Sequence, residues 1–330
     1  MCIISSLQLA ITIYLGKKYD YTHGENVTDW SKKDLLILAF DHRTSFVEKL
    51  FGIKNRPPTP EEKKRIEEAK QIIFDGFKLA VKKKVPKEIA GILVDEEFGA
   101  NILKEAKKEG YNFAMPAEKS GQDEFDFEYG DQFAKHIEEF DPTYLKVLVR
   151  YNPDSDAVLN KRQLQRLKKL SDYLAKTKRP FLFELIVPAT PAQLAKLGGS
   201  KEAYDTQLRP KMMCESIKQI QDGGVEPAIW KLEGVEKPED AKAIVKQAQA
   251  GGRKVGVITL GRGESKDKVK EWLAVGAKIP GIIGFAVGRT IFWDPLVEYN
   301  AKKIDKKAAT DKIAQNYMEF VELWQNERKK

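Results

Sequence analysis

From residue 34 onward, short apolar runs rich in β-branched residues alternate with longer charged stretches in which apolar positions recur at helical spacing. The apolar runs predict strands at Leu35–Phe40 (LLILAF), Ile89–Val94, Asn112–Met115, Tyr144–Val149, Phe181–Val187 (FLFELIV), Ala228–Leu232 (AIWKL), Val255–Leu260 and Gly281–Ala286. The charged stretches predict helices near 61–84, 99–109, 128–139, 158–177, 203–221, 238–250, 265–277 and 306–327, with a short helix starting at Thr290. Strands this continuously apolar suit a parallel sheet covered on both faces. Eight strand–helix units therefore predict an α/β chain folded as a (β/α)8 TIM barrel, a parallel eight-stranded sheet closed on itself. An open doubly wound sheet is the alternative. Its first turn would carry a G-x-G-x-x-G cluster, whereas the first strand here runs into Asp41-His42-Arg43. Three connections are long, at 41–60, 116–127 and 188–202; the last, with Pro188, Pro191 and Gly198-Gly199, reads as a lid. The barrel is expected to span 34–330, with 1–33 as an N-terminal extension over part of it.

Composition narrows the function. The chain has 330 residues, 42% of them hydrophobic, enough for a barrel core. Lys and Arg number 57 against 49 Asp and Glu, giving +8, and the two signs interleave along the helices as on a solvated surface. No basic stripe with aromatics accompanies the excess, so no nucleic-acid partner is expected. The positive balance suits an anionic substrate. No apolar run is long enough to span a bilayer, so no membrane partner is expected. Residues 3–15 are apolar but lack a basic start and a small-residue cleavage site, and they are not read as a signal peptide. The two cysteines, Cys2 and Cys214, fit a reducing compartment, the cytoplasm. A homo-oligomer is left open.

Chemistry in a barrel gathers where strands end. Charged residues stand at or just past each predicted strand end: Asp41 and Arg43, Asp95 and Glu97, Glu118, Lys146 and Arg150, Glu184, Lys231 and Glu233, Arg262, and Arg289. Three of these lie inside apolar strands rather than after them. Strand side chains alternate between faces, so Lys146 goes with Leu148 and Arg150, Glu184 with Leu182 and Ile186, and Lys231 with Ile229 and Glu233. That face is the inner one if the larger apolar neighbours pack on helices. A buried Lys–Glu pair is the plain structural reading; two lysines and a glutamate on three successive strands exceed what such a pair needs. The set suits imine catalysis. A nucleophilic lysine must be neutral, which desolvation and a neighbouring cation both favour, and Lys146 serves Lys231 in this way or the reverse. Glu184 is the candidate for moving protons. Strand 7 ends in Gly261-Arg262-Gly263 and strand 8 in Gly288-Arg289-Thr290, where barrels bind phosphate through backbone amides, charge-assisted arginine bonds and a helix N-terminus. Tight turns alone would account for the glycines. His23, His42 and His136 fall on separate segments, so no zinc site is expected. Nor is there a Walker A motif, a nucleophile elbow or a Cys/His dyad, and no cofactor is expected.

At these residues the chain resembles the aldolase domain of the inositol-catabolism family, often fused behind a kinase as 5-dehydro-2-deoxygluconokinase/aldolase. The matching stretches are LAFDHR (38–43), ILVDEEFG (92–99), PAEKSG (116–121), KVLVRYNPD (146–154), FLFELIVPAT (181–190), QDGGVEPAIWKLEG (221–234), LGRGE (260–264) and GIIGFAVGRTIFWDPL (281–296). More distantly it is similar to class I tagatose-bisphosphate and sulfofructose-phosphate aldolases. The resemblance implies a class I aldolase, a lyase, with Lys231 as Schiff-base lysine, Glu184 as acid/base, Lys146 as electrostatic partner, Asp41 near the imine, and Arg262 and Arg289 on phosphate. It implies 6-phospho-5-dehydro-2-deoxy-D-gluconate as substrate, with dihydroxyacetone phosphate and malonate semialdehyde as products. The chain departs from fused members in carrying no kinase domain, so a separate kinase supplies the substrate or the substrate differs. Another phosphosugar aldolase and a non-catalytic sugar-phosphate-binding barrel are the competing readings.

Overall fold

The computed structural model describes residues 28–330. Cys2, His23 and most of the expected N-terminal extension lie outside the described residues. The strands are β1 (Leu35–Ala39), β2 (Ala90–Leu93), β3 (Asn112–Pro116), β4 (Tyr144–Arg150), β5 (Phe181–Ile186), β6 (Ile229–Glu233), β7 (Gly256–Leu260) and β8 (Ile282–Val287). They are all parallel and pair in sequence order, and β1 closes on β8 with Leu36 opposite Phe285. The sheet is thus a closed (β/α)8 barrel, not an open doubly wound one.

The helices are α1 (Thr44–Phe51), α2 (Pro60–Lys83), α3 (Glu96–Glu109), α4 (Phe133–Phe140), α5 (Ala157–Lys176), α6 (Pro191–Lys196), α7 (Arg209–Asp222), α8 (Pro238–Ala248), α9 (Lys266–Ala277), α10 (Arg289–Asn300) and α11 (Lys306–Arg328). Local chemistry sets several starts. Thr59 and Glu62 form a reciprocal cap on α2, with Pro60 in the first turn. Asp95, Asp156, Ser265 and Asp305 accept from the first-turn amides of α3, α5, α9 and α11.

Two connections hold helices where the sequence reading places loops. Within 41–60, Phe46, Val47 and Leu50 bury one face of α1. The stretch 188–202 holds α6, announced by the capping box of Thr190 and Gln193 with Pro191 between them. The helix expected from 203 begins with a π turn at Tyr204–Leu208. The short helix expected at Thr290 instead runs twelve residues, through Pro295.

The alternation of strand side chains is resolved as follows. Val147, Val149, Phe183, Leu185, Trp230 and Leu232 belong to the large apolar layer between strands and helices. Leu35, Ile37, Tyr144, Leu182, Ile229, Ile258 and Ile283 form a second cluster inside the barrel. Burying each such side chain contributes roughly 1.5–3 kcal/mol. The N-terminal end is closed by the short helical turn Trp30–Lys32. The Trp30 amide donates to Lys254 O at 3.0 Å, and its ring meets Tyr144 edge-on at 5.9 Å. Gly256 makes room for this plug, since a Cβ there would lie 2.8 Å from Trp30 O and 2.4 Å from Ile283 Cδ1. Apolar residues fill the lower interior, and polar groups are left to the C-terminal end. Among the described residues no helix is long and apolar enough to cross a membrane.

Candidate active site

A cavity of about 660 Å³ opens at the C-terminal end of the barrel. Asp41, Arg43, Glu118, Lys146, Arg150, Glu184, Lys231, Gly261, Arg262, Gly288 and Arg289 all line it. Of the residues singled out from sequence, Asp95, Glu97 and Glu233 do not. The 188–202 stretch, read as a lid, contributes nothing to the lining; residues 119–123 of the 116–127 connection wall the mouth instead.

The floor is a buried ionic cluster. Register sets it: Glu184 on β5 is directly paired with Lys231 on β6, and Pro116 with Lys146 on β4. Lys146 Nζ lies 2.8 Å from Asp41 Oδ2, 2.7 Å from Glu118 Oε1 and 3.0 Å from Glu184 Oε2. The same Glu184 oxygen is 2.8 Å from Lys231 Nζ. One carboxylate oxygen therefore sits between both ammonium groups. Burial would raise the Asp41 and Glu184 carboxyls, but Lys146 and Lys231 outweigh it and hold both below the usual carboxylate range. Glu118 is different: burial dominates over Lys146 and Arg43, and its carboxyl is raised. Lys146 is held above the ordinary lysine value, its desolvation overcome by Asp41, Glu118 and Glu184.

The arginines divide into committed and free groups. Arg43 donates to Glu128 Oε2 at 2.7 Å and to Glu118 O at 2.5 Å, and so fastens the 116–127 connection to the end of β1. Arg150 donates to Gln122 O at 2.7 Å from the other side. Arg262 donates to Asp205 Oδ2 at 2.7 Å, and its Nε lies 3.0 Å from Glu233 Oε1 without the alignment of a hydrogen bond. Glu233 also accepts from the Val187 amide at 3.0 Å, so it stands behind Arg262 rather than in the cavity. Arg289 has no carboxylate partner among the described residues; its Nη2 donates to Arg262 O at 3.1 Å. Gly288 caps α10 without a side-chain bond to its first amides. A Cβ at Gly288 would lie 2.0 Å from Ala39 O, so only glycine lets the start of α10 sit against the end of β1. Helix-start amides without a side-chain cap and an arginine with no carboxylate partner among the described residues thus stand together at one rim.

Asp95 lies elsewhere. It accepts from the Phe98 amide at 2.9 Å as the cap of α3, and its other oxygen pairs with the buried Lys70. Glu97 is on α3 and outside the lining. His42, named in the sequence only as an isolated histidine, lines the cavity. Burial, against the pull of Asp41, pushes it down to about 4, so its ring is neutral near pH 7. Its Nδ1 has no hydrogen-bond partner among the described residues. The signal was there in its place after Asp41 at a strand end, but the neighbours that give it a setting, Gly288 and Arg289, lie some 250 residues away at the far end of the ring. Thr44, Ser45 and Ser120 also line the mouth and were not anticipated. Among the described residues no group of three or more His, Cys, Asp or Glu side chains is placed to hold a metal ion.

Solved structures of similar fold include fructose-bisphosphate aldolase from Plasmodium falciparum, at TM-score 0.62 and 14% identity over 90% of this chain and 92% of that one. A Schiff-base-forming fructose-1,6-bisphosphate aldolase matches at TM-score 0.53 and 12% identity over 88% and 94%. Cgl0159 from Corynebacterium glutamicum matches at TM-score 0.54 and 15% identity over 96% and 99%. At these identities the likeness is one of fold. No curated protein matches the sequence. The family model described as "Uncharacterized protein conserved in bacteria (DUF2090)" matches residues 14–328, and the chain belongs to that family.

Proposed function

We propose that the chain is a class I aldolase whose Schiff-base lysine is Lys231, acting on a phosphorylated keto-sugar acid. The observation that carries this reading is the single Glu184 oxygen placed between Lys231 and Lys146 at the foot of the cavity. A carboxylate in contact with the amine can take its proton as a ketone arrives, which frees the nitrogen to attack. The same carboxyl then returns a proton to the carbinolamine oxygen, which leaves as water to give the iminium. The bond between the two carbons next beyond breaks, its electrons flow to the iminium nitrogen, and an ionised carboxylate removes the proton of the hydroxyl that becomes the aldehyde. In this reading Asp41, held ionised beside Lys146, takes that last proton. Lys146, bound by three carboxyls, stays charged and serves as the fixed cation of the site.

The substrate reading rests on the two rims. Arg289 and the start of α10 stand after β8 as a phosphate cradle, with Gly261, Arg262 and Gly263 after β7. Arg150 stands on β4, on the opposite side of an eight-stranded ring, and suits a second anionic end. A phosphate at one end and a carboxylate at the other describes 6-phospho-5-dehydro-2-deoxy-D-gluconate, the substrate that the inositol-catabolism resemblance implies, cleaved to dihydroxyacetone phosphate and malonate semialdehyde in the cytoplasm. Two of the three named fold neighbours are fructose-bisphosphate aldolases, so a bisphosphate sugar is the second reading.

Borohydride reduction in the presence of dihydroxyacetone phosphate and a chelator tests the reading. A three-carbon adduct on Lys231, located by peptide mass mapping, is the expected result. Labelling confined to other lysines would remove Lys231 from the role. Cleavage rates over a panel of phosphorylated keto-sugars, with and without a carboxylate, then select the substrate.

A further inference from the structure

The mechanism above leaves His42 without a task, although the fold fixes it at the cavity. It follows Asp41 at the end of β1 and lines the cavity wall. Its main-chain oxygen accepts from the buried Lys70 ammonium at 3.1 Å. Phe292 of α10 meets the ring edge-on, with centroids 6.2 Å apart. Gly288 lies against Cε1, since a Cβ built on that glycine would come 3.3 Å from it. The ring is thus held by three elements that it repays with no side-chain hydrogen bond to the described residues. Ordering a polar side chain without giving it a partner is unusual inside a protein and points to a partner from outside.

The two ring nitrogens differ in setting, and the difference places the proton. Nδ1 is shut from solvent with no partner among the described residues; Nε2 is not shut in this way. A doubly protonated ring would bury the Nδ1–H with no acceptor and add a cation to a wall that already feels Arg289 and Lys231. A neutral ring has one proton to place. On Nδ1 it would again be an orphaned buried donor, which is rarer in proteins than an under-used acceptor. On Nε2 it can be given to a cavity water or a ligand. Nε2 is bonded to Cε1, the atom against Gly288, so this donor stands at the start of α10. There the first amides lack a side-chain cap, and Arg289 lacks a carboxylate partner among the described residues. The other charged groups acting on the ring are Asp41, Glu184 and Lys231, and both carboxylates are already engaged by lysines.

We propose that neutral His42 donates a hydrogen bond from Nε2 to the phosphate of the substrate, as an uncharged partner of Arg289 and the start of α10. This rests on the phosphate reading above. The arginine and the helix start respond to negative charge. A neutral donor on a ring fixed by Phe292 and Gly288 responds instead to where one oxygen lies, and so adds specificity of position to the attraction of charge. The ring keeps its proton throughout, and no bond to it is made or broken. The downward displacement of the ring by burial agrees with this assignment.

The chain has only three histidines, so NMR of isotope-labelled histidine nitrogens gives a spectrum that His42→Phe assigns. In the ligand-free protein near pH 7, His42 should be neutral with its proton on Nε2. That N–H signal should move on addition of inorganic phosphate or dihydroxyacetone phosphate, and far less with dihydroxyacetone. An ionised ring, a proton on Nδ1, a signal unmoved at saturating phosphate, or an equal response to dihydroxyacetone overturns the proposal. His42→Phe keeps a ring against Phe292 and Gly288 and removes both nitrogens. In isothermal titration it should weaken dihydroxyacetone phosphate by about 10–100-fold, the scale of a hydrogen bond to a charged group, and leave dihydroxyacetone nearly unchanged. A wild-type phosphate preference in His42→Phe also overturns the proposal. Should that variant fail to fold, the wild-type spectra decide alone. Inorganic phosphate forms no imine, and borohydride trapping on Lys231 reads the imine separately, so failure of the aldolase chemistry leaves the His42 test intact. If Arg289→Ala loses the phosphate preference while the His42 signal never responds, the rim binds phosphate without His42 and the proposal is wrong.

Discussion

Lys70 and Lys146 are both buried ammonium groups, 0% and 1% exposed, and each contacts an aspartate that ends a strand. Their surroundings part company from there. Lys70 donates to Phe40 O at 3.0 Å, to His42 O at 3.1 Å and to Asp95, and the rings of Phe46 and Phe98 lie 5.5 and 5.7 Å away. One cation meets one anion, each has its hydrogen bonds, and neither lines the cavity at the barrel end. Lys146 sits with a second lysine and three carboxyls, shares an oxygen with that lysine, and faces an open cavity. A closed, balanced pair fixes structure. An open set in which one carboxylate oxygen touches two ammonium groups beside a cavity has the means to exchange protons with a ligand. Burial of charge is common to both, so it does not separate them; the shared oxygen and the open cavity beside Lys146 do.

The comparison breaks most sharply at Lys231. Lys231→Met should lower cleavage by about 10⁵-fold or more, since the covalent route is lost, while a melting curve should show a folded protein. Turnover within tenfold of wild type would place the chemistry elsewhere. Glu184→Gln comes next. It keeps shape and hydrogen bonding but cannot exchange a proton near pH 7, so single-turnover cleavage should fall by roughly 10²–10⁴-fold. A variant with near-normal turnover and a much lower melting temperature would assign Glu184 to charge balance alone. On the other side stands Lys70→Met. It leaves Asp95 buried and unpaired, which should cost about 3–5 kcal/mol of stability in denaturant titration, with kcat per folded molecule nearly unchanged. A selective loss of kcat there would erase the distinction between the two clusters.

The barrel was legible because β strands and amphipathic helices have different periods, and the expected strand ends lie within one residue of those in the structure. Lys146, Glu184 and Lys231 were legible for a related reason. Each interrupts an apolar strand at a position whose neighbours, such as Phe183 and Trp230, must face the helices. Asp95 misled because FDHR and VDEE look alike as strand ends. The two glutamates after Asp95 open a helix that it caps, and its partner Lys70 is in the middle of α2, where no local pattern pairs them. His42, Thr44 and Ser120 went unseen because they are ordinary loop residues until the closed sheet sets β1 beside β8 and folds the 116–127 connection over it. Helix α1 is too short, eight residues, to show a clear period.

The same contrast between committed and free charge separates the two arginines at the rim after β7 and β8, which the sequence presents as equivalent Gly-Arg pairs. Arg262 is tied to Asp205 and abuts Glu233, whose carboxyl is buried and raised chiefly by that burial. Arg289 has only the Arg262 carbonyl as acceptor among its described contacts, and burial alone pulls it below the ordinary arginine value, a direction that an incoming anion would reverse. Arg289→Ala should therefore weaken binding of phosphorylated ligands by about 1.5–3 kcal/mol, the worth of a hydrogen bond to a charged group, and leave the melting temperature near wild type. Arg262→Ala should act mainly through stability, because it takes a contacting cation from buried Glu233 and leaves Asp205, on the π turn, with Arg209 alone. Isothermal titration of dihydroxyacetone phosphate against dihydroxyacetone on both variants reads the difference. Loss of the phosphate preference in Arg289→Ala, but not in Arg262→Ala, is the expected outcome. An Arg289 variant that keeps the wild-type preference would move the phosphate to another part of the rim, and equal losses in both variants would make Arg262 a direct ligand that leaves its carboxylates when the anion binds.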